Sequence, residues 1–423
     1  MIADKLKPFQ RDAAERIASE RVMLLADQPG LGKTFTSLGA LELSGVLTEG
    51  STTLILGPLI TCDTAWVPTI QSFMPEVNVI DGFSGSRAKR DERIRKLWRE
   101  NVANIIVTNH DSVGISKTEK RLVPVLHELN FCAVLIDESH MVLPMEYDTR
   151  QEATQFWRGL FDVSKALTEN AIRLAISGTP DRGKLNYRFG TWRFLMPKIF
   201  SDTNVGYEDW LESNFYTFLV PVTVRRRDGS AFETNITKIG HMLNKDRWLL
   251  WDKQLVVRRT KSEVAKDLPA KDYADIDIEF SKQLAFAYKA FADEFLIGDD
   301  GSKANALVYT LRAQQFATCE YESLGEGAIA PKAGGLSPKR DWLISWLSER
   351  NLNKDSPEPA NGKVVIASQF SSVLYWLQKE LLAEGFVSKV ISGDVAQHKR
   401  KSIQQEFQEE SSGLNIVLLS SGL

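Results

Sequence analysis

Residues Ala26–Thr34 read ADQPGLGKT and directly follow the apolar run VMLL. An apolar strand, a glycine-containing turn and a Gly-Lys-Thr sequence that opens a helix are typical of a loop that binds nucleotide phosphates. Gly30 and Gly32 would let backbone N–H groups approach the phosphates, because a Cβ at either position would block the approach. Lys33 is predicted to reach the β- and γ-phosphates, and the Thr34 hydroxyl to ligate Mg²⁺. The alternative is a Gly-Lys-Thr helix start without a ligand.

The composition is that of a folded globular protein. The chain has 423 residues, of which 43% are hydrophobic and 25% charged, and this length predicts two or three domains. Since the net charge is −3, a surface that binds nucleic acid must be local. Cys62, Cys132 and Cys319 are isolated, which argues against structural zinc and disulfides. With no apolar signal segment or membrane-length run, we expect a soluble, intracellular protein, nuclear in a eukaryote and cytoplasmic or nucleoid-associated otherwise.

Short apolar segments alternate with helical patterns in both halves of the chain. We predict strands at 22–25, 53–56, 77–80, 105–108, 133–136, 171–176, 364–367, 387–391 and 416–419. This alternation is typical of parallel sheets covered by helices on both faces, and such sheets bind ligands at the carboxyl ends of their strands. Between the two regions, 220–239 reads as a hairpin, 242–320 as mainly helical and 325–338 as a Gly/Pro-rich hinge.

Two carboxylates follow one of these buried strands. Asp137 is positioned to hold Mg²⁺ through its water shell, and Glu138 to polarise the attacking water. An acidic surface turn is the alternative, which the preceding apolar strand and the phosphate loop disfavour. His140 has no second histidine at ligand spacing, so coordination of a metal by histidine is disfavoured. Together with Lys33 and Thr34, the pair predicts ATP hydrolysis.

Two further polar segments can be assigned to the same site. Ser177, Gly178 and Thr179 follow the next apolar strand, and their hydroxyls are predicted to contact the Glu138 region and transmit the γ-phosphate state. A plain turn before a proline is the alternative. The Gln10 amide is predicted to read the adenine edge as donor and acceptor together, with a solvated glutamine as the alternative.

Ten segments, in order along the chain, match one pattern of motifs. They are LKPFQ at 6–10, ADQPGLGKT at 26–34, LILGPLITCDTAW at 54–66, VTNHDS at 107–112, DESH at 137–140, AISGTP at 175–180, LVVRRTKSEVAKDLPAK at 255–271, KVVIASQFSSVLYWL at 363–377, VISGDVAQHKRKSIQQEF at 390–407 and LLSSGL at 418–423. The chain resembles the Swi/Snf-type ATPases, a branch of the superfamily-two helicases that translocates on double-stranded DNA. Asp27 stands where the strict phosphate-loop pattern has its first glycine, as in this branch.

The resemblance implies an α/β fold with two RecA-like lobes. Residues 1–200 would form the ATP-binding lobe, 201–330 a helical protrusion and brace that carries the hairpin, and 331–423 the second lobe. The lobes would close around ATP and Mg²⁺ and step along one strand of a duplex, moving it without fully unwinding it. On matching positions, the residues that serve ATP would be Gln10, Gly30, Leu31, Gly32, Lys33, Thr34, Asp137 and Glu138.

The resemblance also assigns positions to DNA. These candidates are Pro58, Trp66, Thr108, His110, Ser368, Gln369, Gly393 and Ser420. Hydroxyls and backbone amides suit phosphates, so binding is expected to be independent of sequence and sensitive to salt. A distant branch of the family carries a hairpin-like insert, which predicts that Arg225, Arg226 and Arg227 contact duplex DNA; a solvated loop is the alternative. We expect a monomer.

The main departure from the family pattern is at the C-terminus. The chain ends after LLSSGL, before the arginines that complete the ATP site in the family's last motif. We therefore expect a second lobe that is cut short, with binding of ATP and DNA but weak hydrolysis, since arginine fingers contribute about 10³–10⁵ in rate. The competing functions are a strand-separating or annealing helicase and a DNA-binding scaffold that responds to ATP.

Overall fold

The chain folds into two compact units, within residues 1–270 and 271–423. The computed structural model describes residues 2–144, 153–197, 206–225, 231–264, 272–296, 306–325, 328–352, 362–409 and 412–421. Each unit contains a parallel sheet, and helices dominate the described residues between the two sheets along the chain. The predicted fold class, an α/β protein with two RecA-like lobes and a mainly helical insertion, is confirmed.

The first unit is built around a seven-stranded sheet. Its strands and those of the hairpin that follows are β1 Val22–Leu25, β2 Thr52–Gly57, β3 Asn78–Asp81, β4 Asn104–Asn109, β5 Phe131–Ile136, β6 Leu167–Ile176, β7 Phe215–Arg225, β8 Ala231–Met242 and β9 Val256–Val257. The order in the sheet is β3-β4-β2-β5-β6-β1-β9, and every neighbouring pair is parallel. The carboxyl ends of all seven strands therefore meet at one edge, with β1 between β6 and β9.

Both faces of this sheet are buried. Leu54 and Leu56 in β2 belong to one apolar cluster, and Ile55 between them belongs to the cluster on the opposite face. All three side chains are fully buried. This alternation explains why the strand segments are continuous apolar runs, since no residue of a central parallel strand faces water.

Helices cover both faces of the first sheet. The α-helices of this unit are Pro8–Glu20, Lys33–Leu43, Leu59–Thr61, Val67–Phe73, Arg87–Leu97, Gln155–Lys165, Arg188–Leu195, Tyr207–Asn214, Lys245–Leu255 and Lys261–Val264. In the charged helix Arg87–Leu97, Arg95 pairs with Asp91 and with Glu128. The sequence favoured a solvated face for this helix, and these exposed ion pairs agree with it.

Strands β7 and β8 form a long antiparallel hairpin. It pairs Phe215 with Met242 at its base and Arg225 with Ala231 near its tip. The predicted hairpin is confirmed and extends beyond the predicted bounds at both ends. Arg226, Arg227 and the Arg225 side chain lie outside the described residues.

The second unit contains a smaller parallel sheet. Its strands are β10 Tyr321–Gly325, β11 Ala328–Pro331, β12 Val364–Ser368, β13 Ser388–Ile391 and β14 Ile416–Ser420, and its helices are Lys282–Leu296, Ala306–Phe316, Pro338–Ser348, Ser371–Ala383 and Gln397–Gln408. The parallel order is β12-β14-β13. Leu284 is buried and Tyr288 packs against the same core, as the helical spacing predicted; the side chains of Phe291 and Phe295 lie outside the described residues.

The predicted hinge at Gly325–Pro338 is wrong. Its described residues belong to the second unit and include β11, which pairs with β10 in an antiparallel hairpin. Lys332 forms an ion pair with Glu320 at 2.7 Å, and its carbonyl accepts a hydrogen bond from Trp376 Nε1 at 3.1 Å. Glycine and proline here serve tight turns inside a packed unit. Within the described ranges, no helix is both long enough and apolar enough to cross a membrane.

Candidate nucleotide site and nucleic-acid interface

The loop between β1 and the helix Lys33–Leu43 has the geometry of an anion cradle. Gly30 and Gly32 have φ values of +85° and +79°, in the left-handed region that residues with a Cβ rarely adopt. The first N–H groups of the helix lack partners within the helix, and its dipole favours negative charge at this end. Lys33 Nζ donates to the Asp27 carbonyl at 3.1 Å. The loop therefore offers both backbone donors and a cation to a phosphate.

Gln10 supports this loop from the preceding helix, Pro8–Glu20. Its Nε2 donates to the Leu31 carbonyl at 2.9 Å, and its Oε1 accepts from the Lys7 amide at 3.0 Å. A Cβ on Gly32 would overlap the Gln10 amide, which is a second reason for glycine there. One N–H and one lone pair of the amide remain, so recognition of adenine by Gln10 stays a prediction.

Asp137 is held in place at the carboxyl end of β5. Its amide donates to the Leu56 carbonyl at 2.7 Å, which continues the pairing of β5 with β2. Its Oδ2 accepts from Trp66 Nε1 at 2.9 Å, and its Oδ1 accepts from the Glu138 amide at 3.0 Å. Burial raises the pKa of Asp137. The carboxylate is therefore oriented before any ligand arrives.

Glu138 is the second acid, and its backbone is unusual. Its φ is +45°, a left-handed conformation that a non-glycine residue adopts at a cost of about 1–3 kcal/mol and that clusters at functional sites. Its Oε2 lies 3.2 Å from His140 Nδ1, and the hydrogen bond from His140 lowers the pKa of Glu138. A carboxylate that stays ionised is suited to polarise a water molecule.

The segment Ser177–Thr179 contacts both halves of the site. Ser177 Oγ lies 2.8 Å from His140 Nδ1 and accepts from the Thr179 amide at 3.1 Å. A Cβ on Gly178 would lie 2.9 Å from Pro29 and 3.5 Å from Lys33 Nζ. These contacts arise because β6, which ends at this segment, lies between β5 and β1. The predicted proximity of this segment to the Glu138 region is therefore observed.

The oxygen donors in the site fit Mg²⁺. The predicted protein ligands are the Thr34 hydroxyl and the Asp137 carboxylate, and hard oxygen donors are those that Mg²⁺ prefers. A carboxylate has about four acceptor sites, so Asp137 keeps acceptor capacity beyond its hydrogen bonds from Trp66 and the Glu138 amide. Across the described residues, no group of three or more His, Cys, Asp or Glu could hold a metal by itself. At a nucleotide site, phosphates and water would complete the coordination of Mg²⁺.

The side chains of three predicted DNA contacts are buried. Trp66 is fully buried, in a π-helical turn that directs its indole to Asp137. Thr108 is also fully buried, and its hydroxyl donates to the Gly82 carbonyl at 2.6 Å. His110 is buried, its Nε2 lies 2.8 Å from the Asp137 carbonyl, and burial lowers its pKa. Trp66 and His110 thus contact Asp137, while Thr108 bonds to Gly82. Contact of these three residues with DNA stays a prediction.

Other predicted DNA contacts lie at strand ends. Pro58 is half-buried just after β2, and its carbonyl accepts from Thr61. In the second unit, Ser368 and Ser420 end β12 and β14 and are register partners, and Gly393 follows β13. Gln369 and Gly393 are exposed, Ser368 is half-buried and Ser420 is buried. The topology thus brings four of the predicted residues to one edge of the small sheet, and their contact with DNA stays a prediction.

The sequence missed an ion pair at the base of the nucleotide loop. Asp27, whose side chain is fully buried, accepts hydrogen bonds from the backbone and the guanidinium of Arg259. Arg259 lies in the segment that the sequence assigned only to a brace between lobes. Strand β9, which brings Arg259 to the loop, has only two residues and no periodicity. No local pattern in the sequence could therefore have revealed the ion pair.

A match to a known family agrees with this geometry. A family model described as the SNF2-related domain matches residues 13–322 of the chain. This protein belongs to the SNF2-related family. The family resemblance predicted from the motifs is therefore confirmed.

Curated relatives of this SNF2-related chain share about a quarter of its residues in the aligned regions. The ATP-dependent DNA helicase DDM1 of Arabidopsis thaliana is 26% identical over 417 residues, which cover 94% of this chain and 49% of that protein. The ISWI chromatin-remodeling complex ATPase ISW1 of Saccharomyces cerevisiae is 23% identical and covers 99% of this chain and 34% of that protein. The chain thus spans about half of the first relative and a third of the second.

A solved structure of the same type is also similar to this SNF2-related chain. The Sulfolobus solfataricus SWI2/SNF2 ATPase core in complex with dsDNA is 17% identical, with a TM-score of 0.44, and the match covers 98% of this chain and 78% of that chain.

Proposed function

We propose that this protein is an ATP-driven motor on double-stranded DNA, which couples ATP hydrolysis to movement along DNA or to remodelling of DNA–protein complexes. The observation that carries the proposal is the proximity of the phosphate loop to the acidic motif. Gly178 lies beside Pro29 and Lys33, and the neighbouring Ser177 lies 2.8 Å from His140, which pairs with Glu138. The proposal includes an intracellular location.

The chemistry follows from the positions of these side chains. Lys33 and the N–H groups at the helix start would bind the phosphates, and Thr34 and Asp137 would hold Mg²⁺, which would neutralise phosphate charge. Glu138 polarises a water and accepts its proton as the water oxygen attacks the γ-phosphorus, while the bond from that phosphorus to the β–γ bridging oxygen breaks and ADP leaves. His140 contacts both Glu138 and Ser177, so a change of charge at Glu138 reaches Ser177. The nucleotide state can in this way affect the rest of the unit.

The DNA part of the proposal rests on the family and on the relatives, one named a DNA helicase and another a chromatin-remodeling complex ATPase. Ser368, Gln369, Gly393 and Ser420 at one sheet edge supply hydroxyl, amide and backbone groups for a phosphate chain. A strand-separating or annealing helicase, or a scaffold that uses ATP only as a conformational ligand, would use the same nucleotide loop.

The first test is ATP hydrolysis measured with and without duplex DNA. We expect duplex DNA to stimulate the wild-type protein, and Lys33→Ala to reduce the rate by about 10²–10³-fold because a preorganised cation is lost at the phosphates. Lys89→Ala, which removes an exposed lysine on another helix, is the matched control. No stimulation by any DNA would favour the scaffold, and displacement of a strand from forked DNA would favour the strand-separating helicase.

A second test is the salt dependence of DNA binding. Contacts to phosphates release counterions, so contact with about six phosphates predicts a loss of affinity of about 10³-fold between about 50 and 200 mM salt. Two duplexes of equal length and unrelated sequence should bind equally at each salt concentration. An affinity that depends on sequence, or that hardly changes with salt, would contradict recognition through the phosphate backbone.

A further inference from the structure

We propose that Lys261 is a second phosphate-binding cation of the nucleotide site and that Arg259 is the residue that positions it. This inference rests on the proposed use of ATP. Both residues lie in a segment outside the phosphate loop and the acidic motif. The ligand of Lys261 would be the β- and γ-phosphates of a nucleoside triphosphate.

The pairing register between the loop and the segment after β9 determines where Lys261 lies. β9 pairs with β1 in parallel, and the hydrogen bonds continue past the end of both strands. The Ala26 amide donates to the Val257 carbonyl at 2.7 Å, and the Gln28 amide donates to the Arg259 carbonyl at 3.0 Å. The Lys261 amide then donates to Gln28 Oε1 at 2.7 Å. The segment therefore runs alongside the loop, residue by residue, up to Lys261.

An ion pair between Arg259 and Asp27 holds this register in place. The Arg259 backbone amide and Nε each donate to Asp27 Oδ1 at 3.0 Å, and its Nη2 pairs with Asp27 Oδ2. The guanidinium also lies over the Phe9 ring, at 5.1 Å from its centroid. Asp27 is fully buried, and a buried carboxylate without its cation is strongly destabilised. The loop and the Arg259 segment therefore form one rigid element.

The Lys261 ammonium group lies beside Gly30 of the phosphate loop. A Cβ on Gly30 would lie 3.1 Å from Lys261 Nζ and 3.3 Å from its Cε, so the side chain lies over the glycine where the loop turns. Among the described residues, no carboxylate forms an ion pair with Lys261. Lys33, by contrast, reaches Asp27 and the Gly178 side of the loop. A polyphosphate in the loop would thus meet a lysine from each side, and charge-assisted hydrogen bonds to phosphate are among the strongest.

The test is the affinity of the full chain for fluorescent ATP, ADP and AMP analogues in the presence of Mg²⁺. We expect Lys261→Ala to weaken ATP binding by about 10-fold or more and to leave AMP binding unchanged, because AMP lacks the β- and γ-phosphates. Lys261→Arg should retain most of the ATP affinity. Lys253→Ala, which removes an exposed lysine on the preceding helix, is the matched control and should bind like the wild type.

Equal or tighter ATP binding by Lys261→Ala, with the melting temperature unchanged, would overturn the proposal; tighter binding would mean that Lys261 obstructs the loop. Lys33→Ala separates this failure from failure of the proposed function, because a protein that does not use ATP would show no loss with either variant.

The role of Arg259 is tested by a double-mutant cycle. Arg259→Lys keeps the charge but loses the bidentate fit to Asp27, so Lys261 should lose its fixed position and ATP affinity should fall. If Arg259 acts by positioning Lys261, then Arg259→Lys combined with Lys261→Ala should bind ATP no more weakly than Lys261→Ala alone. Additive losses would contradict a positioning role.

Discussion

A Glu138→Gln variant should bind ATP with near wild-type affinity and hydrolyse it about 10²–10⁴-fold more slowly. The substitution keeps the size of the side chain but removes the negative charge that polarises water. The His140 hydrogen bond lowers the pKa of Glu138 and keeps it ionised, so the glutamine removes a charge that is present near neutral pH. Single-turnover phosphate release and equilibrium ATP binding, both measured with duplex DNA present, separate the chemical step from binding.

Glu49→Gln is the matched control for that variant, since Glu49 is an exposed carboxylate away from the acidic motif. Its rate and its ATP affinity should equal those of the wild type. If Glu138→Gln lost ATP affinity as strongly as rate, the role of Glu138 would be in binding. If it kept the wild-type rate, another group would have to activate the water.

Replacing Trp66 should have the largest effect on stability. Trp66→Ala leaves a cavity in the core and should lower the free energy of unfolding by about 3–5 kcal/mol. Trp66→Phe keeps most of the apolar volume but leaves Asp137 without its indole donor, which should cost about 1–3 kcal/mol. Urea unfolding followed by circular dichroism measures both values.

Trp98→Phe is a suitable control for the hydrogen bond. Trp98 is half-buried, and its Nε1 donates to the neutral Thr52 hydroxyl at 3.0 Å, so this variant removes a similar group without affecting a carboxylate. Trp66→Phe, and not Trp98→Phe, should also raise the Mg²⁺ concentration needed for ATP binding, because Asp137 loses an anchor. If Trp66→Phe were as stable as the wild type, with unchanged Mg²⁺ dependence, the bond to Asp137 would not position the carboxylate.

The local signals in the sequence were sufficient for strands β1 to β6 of the first sheet and for the nucleotide loop. Strand β1 was predicted with its observed bounds, because a short apolar run before a glycine turn is a local pattern. Gly30 and Gly32, where the loop pattern predicted that a Cβ would block the phosphates, have a left-handed backbone. These features depend only on neighbours in the chain.

Exposure was not predictable in the same way. Thr108 ends a predicted strand and His110 follows it, at an edge where polar residues often bind ligands. Only the packed structure shows that both are buried, with Thr108 bonded to the Gly82 carbonyl and His110 against the Asp137 carbonyl. The Gly/Pro-rich stretch around Gly334 was mistaken for a hinge because turns in a hairpin have the same composition as a linker.

The sequence by itself determined that this is an α/β protein of the Swi/Snf type, with a phosphate loop at Ala26–Thr34 and two acids at Asp137 and Glu138. Each of these features is encoded in a short contiguous segment. Only the tertiary structure decided what supports them, namely Trp66 on Asp137 and Arg259 on Asp27. These partners are 71 and 232 residues apart in the chain, and parallel pairing of distant strands is what brings them together.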